Sequence, residues 1–198
     1  MKNIIFDLGG VVLKDEPNSI LNDLEIDKET YNELNKYFTN WEDLDLGKDT
    51  LKNIYYNCNF PKEYDELYKG TLTEYYKYRK IDIRLIELIN KLKENNYNIY
   101  ILSDNNKECF EYYKNNELFK NIDGWVLSCE YHTIKKDGLL FEILLDKYNL
   151  KREECYFIDN SIINIKVSKE HGIKGYLFNA EEDINNLIND MKNNHINI

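Results

Sequence analysis

Five short apolar runs punctuate the chain, at Asn3–Phe6, Asn98–Leu102, Gly124–Leu127, Cys155–Ile158 and Gly175–Phe178. Each is too short for a typical helix and lacks regular polar alternation, which predicts strands buried on both faces of a parallel sheet. Between them the period changes. In Arg84–Asn95 the residues Leu85, Ile86, Leu88, Ile89 and Leu92 fall at helical spacing, and Leu139–Tyr148 and Ile162–His171 read likewise. Such strand–helix alternation predicts a doubly wound α/β fold around a parallel sheet.

Residues 15–81 interrupt this rhythm. Helical patterns run over Ile20–Leu24, Thr30–Phe38, Thr50–Cys58 and Lys62–Tyr78, and no segment there reads as a strand. Because the stretch lies between the first and second strands, it predicts a helical cap inserted into a core formed by residues 1–14 and 82–198. The tail from Glu181 onward reads as a last helix. No internal repeat or low-complexity tract is visible.

Length and charge narrow the partners. A chain of 198 residues fits one domain with a modest insertion. The formal charge of −10 repels phosphate backbones and anionic lipid, so neither nucleic acid nor a membrane is an expected partner. A small anionic substrate stays compatible where a local Lys, helix N-termini and a divalent cation outweigh that field. No window approaches the ~18 apolar residues of a membrane span. The opening residues lack the pattern of a secretory leader. Cys58, Cys109, Cys129 and Cys155 form neither a CxxC pair nor a zinc-binding spacing. They are expected as free, buried thiols in a reducing, cytoplasmic setting.

In open α/β sheets, ligands bind beyond the carboxyl ends of the strands. The first predicted strand is followed by Asp7-Leu8-Gly9-Gly10, the second by Ser103-Asp104-Asn105-Asn106. After the third come Ser128-Cys129-Glu130 and then Lys135; after the fourth, Asp159-Asn160-Ser161. Polar groups thus converge from four strand ends. A carboxylate such as Asp7 can attack phosphorus and form an acyl phosphate. Ser103 can donate to a phosphoryl oxygen, and Lys135 can neutralise charge on nucleophile and phosphoryl group. Asp159 suits a hard cation such as Mg²⁺. Gly9 and Gly10 let the backbone pass close to the nucleophile. Structural alternatives stand beside these roles. Ser103 also fits a helix N-cap, Asp104 a turn residue whose amide faces phosphate, and Asn160 either a neutral metal ligand or a cap. His132, His171 and His195 lack the spacing of a metal cluster or a triad.

These four stretches resemble, in order and at family spacing, the motifs of the haloacid dehalogenase superfamily, in the branch with a helical cap after the first strand. Trp41-Glu42-Asp43-Leu44-Asp45-Leu46-Gly47 is similar to a stretch common in caps of its sugar-phosphate phosphatase-like members. The resemblance implies Asp7 as nucleophile, Ser103 and Lys135 as catalytic and, with Asp104, phosphate-binding groups. It implies Mg²⁺ held by Asp7, the Gly9 carbonyl, Asp159 and Asn160. The implied activity is hydrolysis of a small phosphorylated metabolite, with sugar phosphates a favoured class. The sequence departs from the family where phosphatases usually carry a proton-transferring Asp, here Gly9, and a second motif-four acid, here Asn160. The residue after the motif-three Lys, usually Pro, is Lys136. With Gly9 in place, the leaving oxygen takes its proton from water or from a cap residue. A phosphate-binding protein without turnover and a carbon–halogen hydrolase are the alternatives.

Overall fold

The computed structural model describes residues 1–14, 23–36 and 41–198. Its centre is a five-stranded parallel sheet in the order β3-β2-β1-β4-β5. The strands are β1 (Asn3–Phe6), β2 (Asn98–Ser103), β3 (Gly124–Leu127), β4 (Cys155–Asp159) and β5 (Lys174–Leu177). β1 lies in the middle, with Phe6 opposite Ile101 on one side and Ile158 on the other. The helices are α1 (Lys28–Asn35), α2 (Trp41–Asp45), α3 (Leu51–Asn57), α4 (Asp65–Tyr68), α5 (Ile83–Glu94), α6 (Lys107–Tyr113), α7 (Ser128–Tyr131), α8 (Leu139–Tyr148), α9 (Ile162–Glu170) and α10 (Ile184–Asn193).

Alternation along β1 sorts its side chains into two cores, as period-two geometry requires. Ile4 and Phe6 pack with Leu85, Leu88 and Leu92 of α5 and Met191 of α10. Ile5 packs on the opposite face with Leu140 and Leu144 of α8 and Ile165 of α9. Helices on both faces make the sheet doubly wound, with the switch in winding between β1 and β4. A crevice is expected there, at the carboxyl ends of those two strands.

The segment between β1 and β2 contains no strand among its described residues; isolated bridges join Gly9 to Leu13 and Leu13 to Ile81. It has small cores of its own, one of Leu44, Leu51, Ile54 and Tyr75, the other of Leu34, Tyr68 and Leu72. Thr50 caps α3, its side chain accepting from Asn53 N. The pattern over Thr30–Phe38 corresponds to α1, and Phe38 lies outside the described residues. So does most of Ile20–Leu24.

One expected helix differs from what is found, and one observed helix lies outside the expected patterns. Lys62–Tyr78 is not one helix but a run of 3-10, α and π turns. Gly70 weakens a helix there. Thr71 and Thr73 turn their hydroxyls back onto Leu67 O and Lys69 O at 2.8 and 3.0 Å, a bond that perturbs helices. The Trp41–Asp45 stretch forms a helix too short for its period to show. No helix among the described residues is long and apolar enough to cross a membrane.

Candidate active site

Asp7 follows β1, and its N–H donates to Ile158 O at 2.9 Å, which carries the β1–β4 pairing one residue further. Its Oδ1 accepts from Leu8 N at 2.7 Å. The chain then reverses: Leu13 N donates to Leu8 O and Gly10 N to Leu13 O, both at 2.7 Å. Gly10 makes this turn at φ 73°, where a side chain would be strained. Gly9 is not in that region.

Lys135 lies across from Asp7 in a 3-10 turn after α7. Its side chain is 2% exposed, and its Nζ stands 2.8 Å from Asp7 Oδ1 and 2.6 Å from Asp159 Oδ2. Its backbone N–H donates to Asp104 Oδ1 at 2.8 Å. Asp159 is fully buried, and Ser161 N donates to its Oδ1 at 2.7 Å. Asn164, one turn into α9, donates its amide to both carboxylate oxygens, at 3.2 and 3.1 Å. Ser103, also fully buried, ends β2 beside this group, opposite Leu127 on β3.

One buried ammonium thus faces two buried carboxylates. Burial pushes the Asp7 carboxyl up to about 7; Lys135 opposes this, and the charge of Asp159 adds to it. Burial alone would lower the Lys135 ammonium, but Asp7, Asp159 and Asp104 together hold it above the ordinary lysine range. Burial likewise raises Asp104, with Lys135 opposing.

The structure brings Asp7, Asp104, Lys135 and Asp159 together, with Ser103 at the neighbouring strand end. It spends the Asp104 side chain on the Lys135 loop, which leaves the backbone as that residue's means of meeting a phosphate. Asn160 follows Asp159 directly, with its side chain exposed. Ser103 is no N-cap; Asn106 caps α6, accepting from Cys109 N at 2.9 Å. No disulfide links the four cysteines; Cys109 and Cys155 are buried and Cys58 and Cys129 half-buried. His132 and His171 each find a partner, Leu46 O at 2.8 Å and Glu142 Oε1 at 2.6 Å.

Three residues to which the motifs assign no role also bear on this site. Asn164 shows in sequence only as a polar position on the inner face of α9. A Cβ on Gly9 would lie 3.2 Å from Arg79 Nη1, so a guanidinium occupies the space beside the missing side chain. Asp45 ends α2, and Asp104, Lys135 and Arg79 all act on its charge.

The segment carrying Asp45 is bound to the loops around Lys135. Besides the His132–Leu46 bond, Lys136 Nζ lies 3.0 Å from Glu42 Oε2, and Asn106 donates to the Tyr75 hydroxyl at 2.8 Å. A cleft of about 440 Å³ opens at this junction between Leu44, Gly47, Glu108 and Glu130. Its acidic lining does not suit a phosphate, and Asp7 and Lys135 are not part of it.

The family model of haloacid dehalogenase-like hydrolases matches residues 1–172, a span that includes all of these strand ends. The chain belongs to this family. A haloacid-dehalogenase-family enzyme of Bacteroides thetaiotaomicron, solved in complex with magnesium and inorganic phosphate, is similar over 94% of this chain and 98% of its own, with TM-score 0.75 and 23% identity. A predicted hydrolase of the same family from Porphyromonas gingivalis matches with TM-score 0.71 and 19% identity, covering 97% of this chain and 98% of its own. An L-2-haloacid dehalogenase matches with TM-score 0.69 and 12% identity, covering 92% and 88%. At these identities the likeness establishes the fold. Among curated proteins none matches significantly in sequence.

Proposed function

We propose that this haloacid dehalogenase-like hydrolase is a Mg²⁺-dependent phosphatase of a small phosphorylated metabolite, with sugar phosphates a favoured class. The observation that carries the reading is the Asp7 carboxylate, placed at the switch point of the sheet and 2.8 Å from the buried Lys135 ammonium. Solved relatives with magnesium and phosphate support it.

The residues fit the cation. Among the described residues no three acidic, His or Cys side chains cluster as a metal site, so a cation here would need backbone and amide oxygens beside the two carboxylates. The donors at hand are all oxygens, two of them carboxylates that one lysine neutralises incompletely, which suits a hard divalent ion. Asp7, Asp159, the Gly9 carbonyl and the Asn160 amide oxygen would hold it. When bound, Mg²⁺ would neutralise charge on the phosphoryl oxygens and between the carboxylates.

In this reading Asp7 attacks phosphorus and the ester oxygen departs, leaving an aspartyl phosphate that water then cleaves. Lys135 holds Asp7 in line and balances the phosphoryl charge. Ser103 donates to a phosphoryl oxygen, and the N–H of Asp104 is a second donor at the same strand end. Asp104 positions the Lys135 loop, and Asn164 with Ser161 fixes Asp159. The insertion, spanning residues 15–81 between core segments 1–14 and 82–198, acts as a cap that covers the site and selects the substrate.

The test is a screen of phosphorylated metabolites with Mg²⁺ and with EDTA, run on wild type and Asp7→Asn. Hydrolysis that EDTA stops and Asp7→Asn abolishes is expected, with the variant's melting temperature at or above wild type because a buried charge has been removed. Binding without turnover, or Mg²⁺-independent release of halide from a haloacid, would overturn the reading.

A further inference from the structure

In-line displacement puts the leaving oxygen on the far side of phosphorus from Asp7. A group that protonates it must therefore face β1 from the insertion side. In this chain the position two residues after the nucleophile is Gly9, which moves no proton. Arg79 fills the space beside it, and a guanidinium stays protonated at all relevant pH, so it donates hydrogen bonds but no proton.

On the insertion side, α2 is fixed above the catalytic loops. His132 holds Leu46 O at 2.8 Å, and Gly47 packs so tightly on the Cys129 carbonyl that a Cβ would come within 2.3 Å of its oxygen. Lys136 holds Glu42 from the other end of the helix at 3.0 Å. These contacts leave Asp45 half-buried at the end of α2, next to Leu46, whose carbonyl His132 holds, and two residues before the Gly47–Cys129 contact; Asp104, Lys135 and Arg79 are the charges that act on it most. Among the described residues no hydrogen bond or ion pair occupies its carboxylate. The nearby acids are engaged otherwise: Asp104 with the Lys135 amide and Glu42 with Lys136.

We propose that Asp45 is the general acid and then the general base of the reaction, taking over the proton transfer that Gly9 cannot perform. This rests on the phosphatase reading above. Asp7 Oδ bonds to phosphorus, the bond from phosphorus to the ester oxygen breaks, and its electron pair takes the proton of the Asp45 carboxyl, releasing an alcohol. The Asp45 carboxylate next takes a proton from water as the water oxygen bonds to phosphorus. The bond from phosphorus to Asp7 then breaks, which returns the Asp7 carboxylate, free phosphate and protonated Asp45.

The surroundings suit such a role. Burial raises the Asp45 carboxyl most, the negative Asp104 adds to it, and Lys135 and Arg79 oppose; Glu42 on its own helix adds a little more, and the result is about 7. On the packed helix α7 stand Cys129, whose thiol burial also raises, and Glu130. Tyr75 stays protonated, raised by burial above the ordinary tyrosine range. A carboxyl in this range serves both as acid and as base near neutral pH.

The experiment follows wild type, Asp45→Asn and Asp45→Glu with Mg²⁺ on two substrates: 4-nitrophenyl phosphate, whose leaving group needs no proton, and an alkyl phosphate, whose leaving group does. Asp45→Asn is expected to release a burst of roughly one nitrophenolate per chain at near wild-type rate and then turn over slowly. With the alkyl phosphate it should show no burst and lose about 10²–10⁴-fold, and Asp45→Glu should recover part of that loss. Equal losses on both esters without a burst, or activity within about threefold of wild type on both, would overturn the assignment while leaving the phosphatase reading intact. A wild type inert towards both esters removes that reading and the Asp45 assignment with it.

Discussion

In the core, Lys135 is buried and its ammonium has two carboxylates within 2.8 Å. In the insertion, Asp45 is half-buried and none of the described groups pairs with its carboxylate. The core site is held from several sides at once: by the β1–β4 register, by Asn164 and Ser161 on Asp159, and by Asp104 on the Lys135 backbone. The insertion meets the core side by side rather than by shared strands: through Leu46 O, Gly47, Glu42 and Tyr75, through Leu51 N on Glu108, and through the Tyr76 and Arg79 carbonyls on the Tyr113 hydroxyl. Groups that bind an invariant phosphoryl unit gain from rigid placement, since misplacement by about 1 Å can cost 10²-fold in rate. Groups that meet a variable leaving group gain from sitting on an element that can move.

The largest break in this comparison is to empty the core of its cation. Lys135→Met leaves Asp7 and Asp159 buried side by side with no ammonium between them. Removing one partner of a buried pair costs about 3–5 kcal/mol, and turnover should vanish as well. Urea unfolding at pH 8 measures the first effect; a loss under about 1 kcal/mol would show that the carboxylates do not depend on Lys135.

The same contrast explains what could be read from the sequence. The ends of β1 and β3 were legible because uninterrupted apolar runs mark strands buried on both faces. Asp7, Ser103 and Asp159 were legible as polar residues at or just beyond the ends of such runs, and Lys135, further past Leu127, through its resemblance to the third family motif. β5 lies one residue earlier than its apolar run suggests. As an edge strand with exposed ends at Lys174 and Leu177, it carries little polarity contrast to fix its limits. In the insertion, the helical pattern over Lys62–Tyr78 is broken into short turns around Gly70, and the five-residue helix α2 is too short to show a period. Asp45 is one acid among many in the chain. Its environment comes from Arg79, Asp104 and Lys135, groups 34 to 90 positions away, and no local pattern encodes that.

A smaller break separates the two regions instead of damaging either. Gly47 has φ +63°, and a Cβ there would lie 2.3 Å from Cys129 O. Gly47→Ala must therefore move backbone, at a cost of at least about 1–2 kcal/mol from the left-handed conformation alone. Amide exchange should show the effect in the insertion, with α3 losing protection while β1 and β4 keep theirs. Equal loss in both regions would mean that the insertion and the core open as one unit.

The smallest expected effect concerns Asp45 and tests its burial without any substrate. Its carboxyl is raised from 3.8 to about 7 in the folded chain. A raised folded-state pKa contributes stability that is complete below the unfolded-state value and is lost as pH rises through the folded one. For Asp45 that loss runs from about pH 4 to about pH 7, after which the folded protein holds an ionised carboxylate that water would solvate better. Asp45→Asn cannot ionise, so it should stabilise the protein at pH 8 and do so less at pH 5, where the folded-state carboxyl of wild type is still protonated. The side chain keeps some contact with water, which screens much of the burial cost, so the gain at pH 8 should be about 1 kcal/mol, or about 2–4 °C in melting temperature. The difference between the two melting curves against pH cancels every other titrating group to first order. A gain that is equal at both pH values, or larger at pH 5, would place the Asp45 carboxylate in solvent and remove the environment on which its role in proton transfer depends.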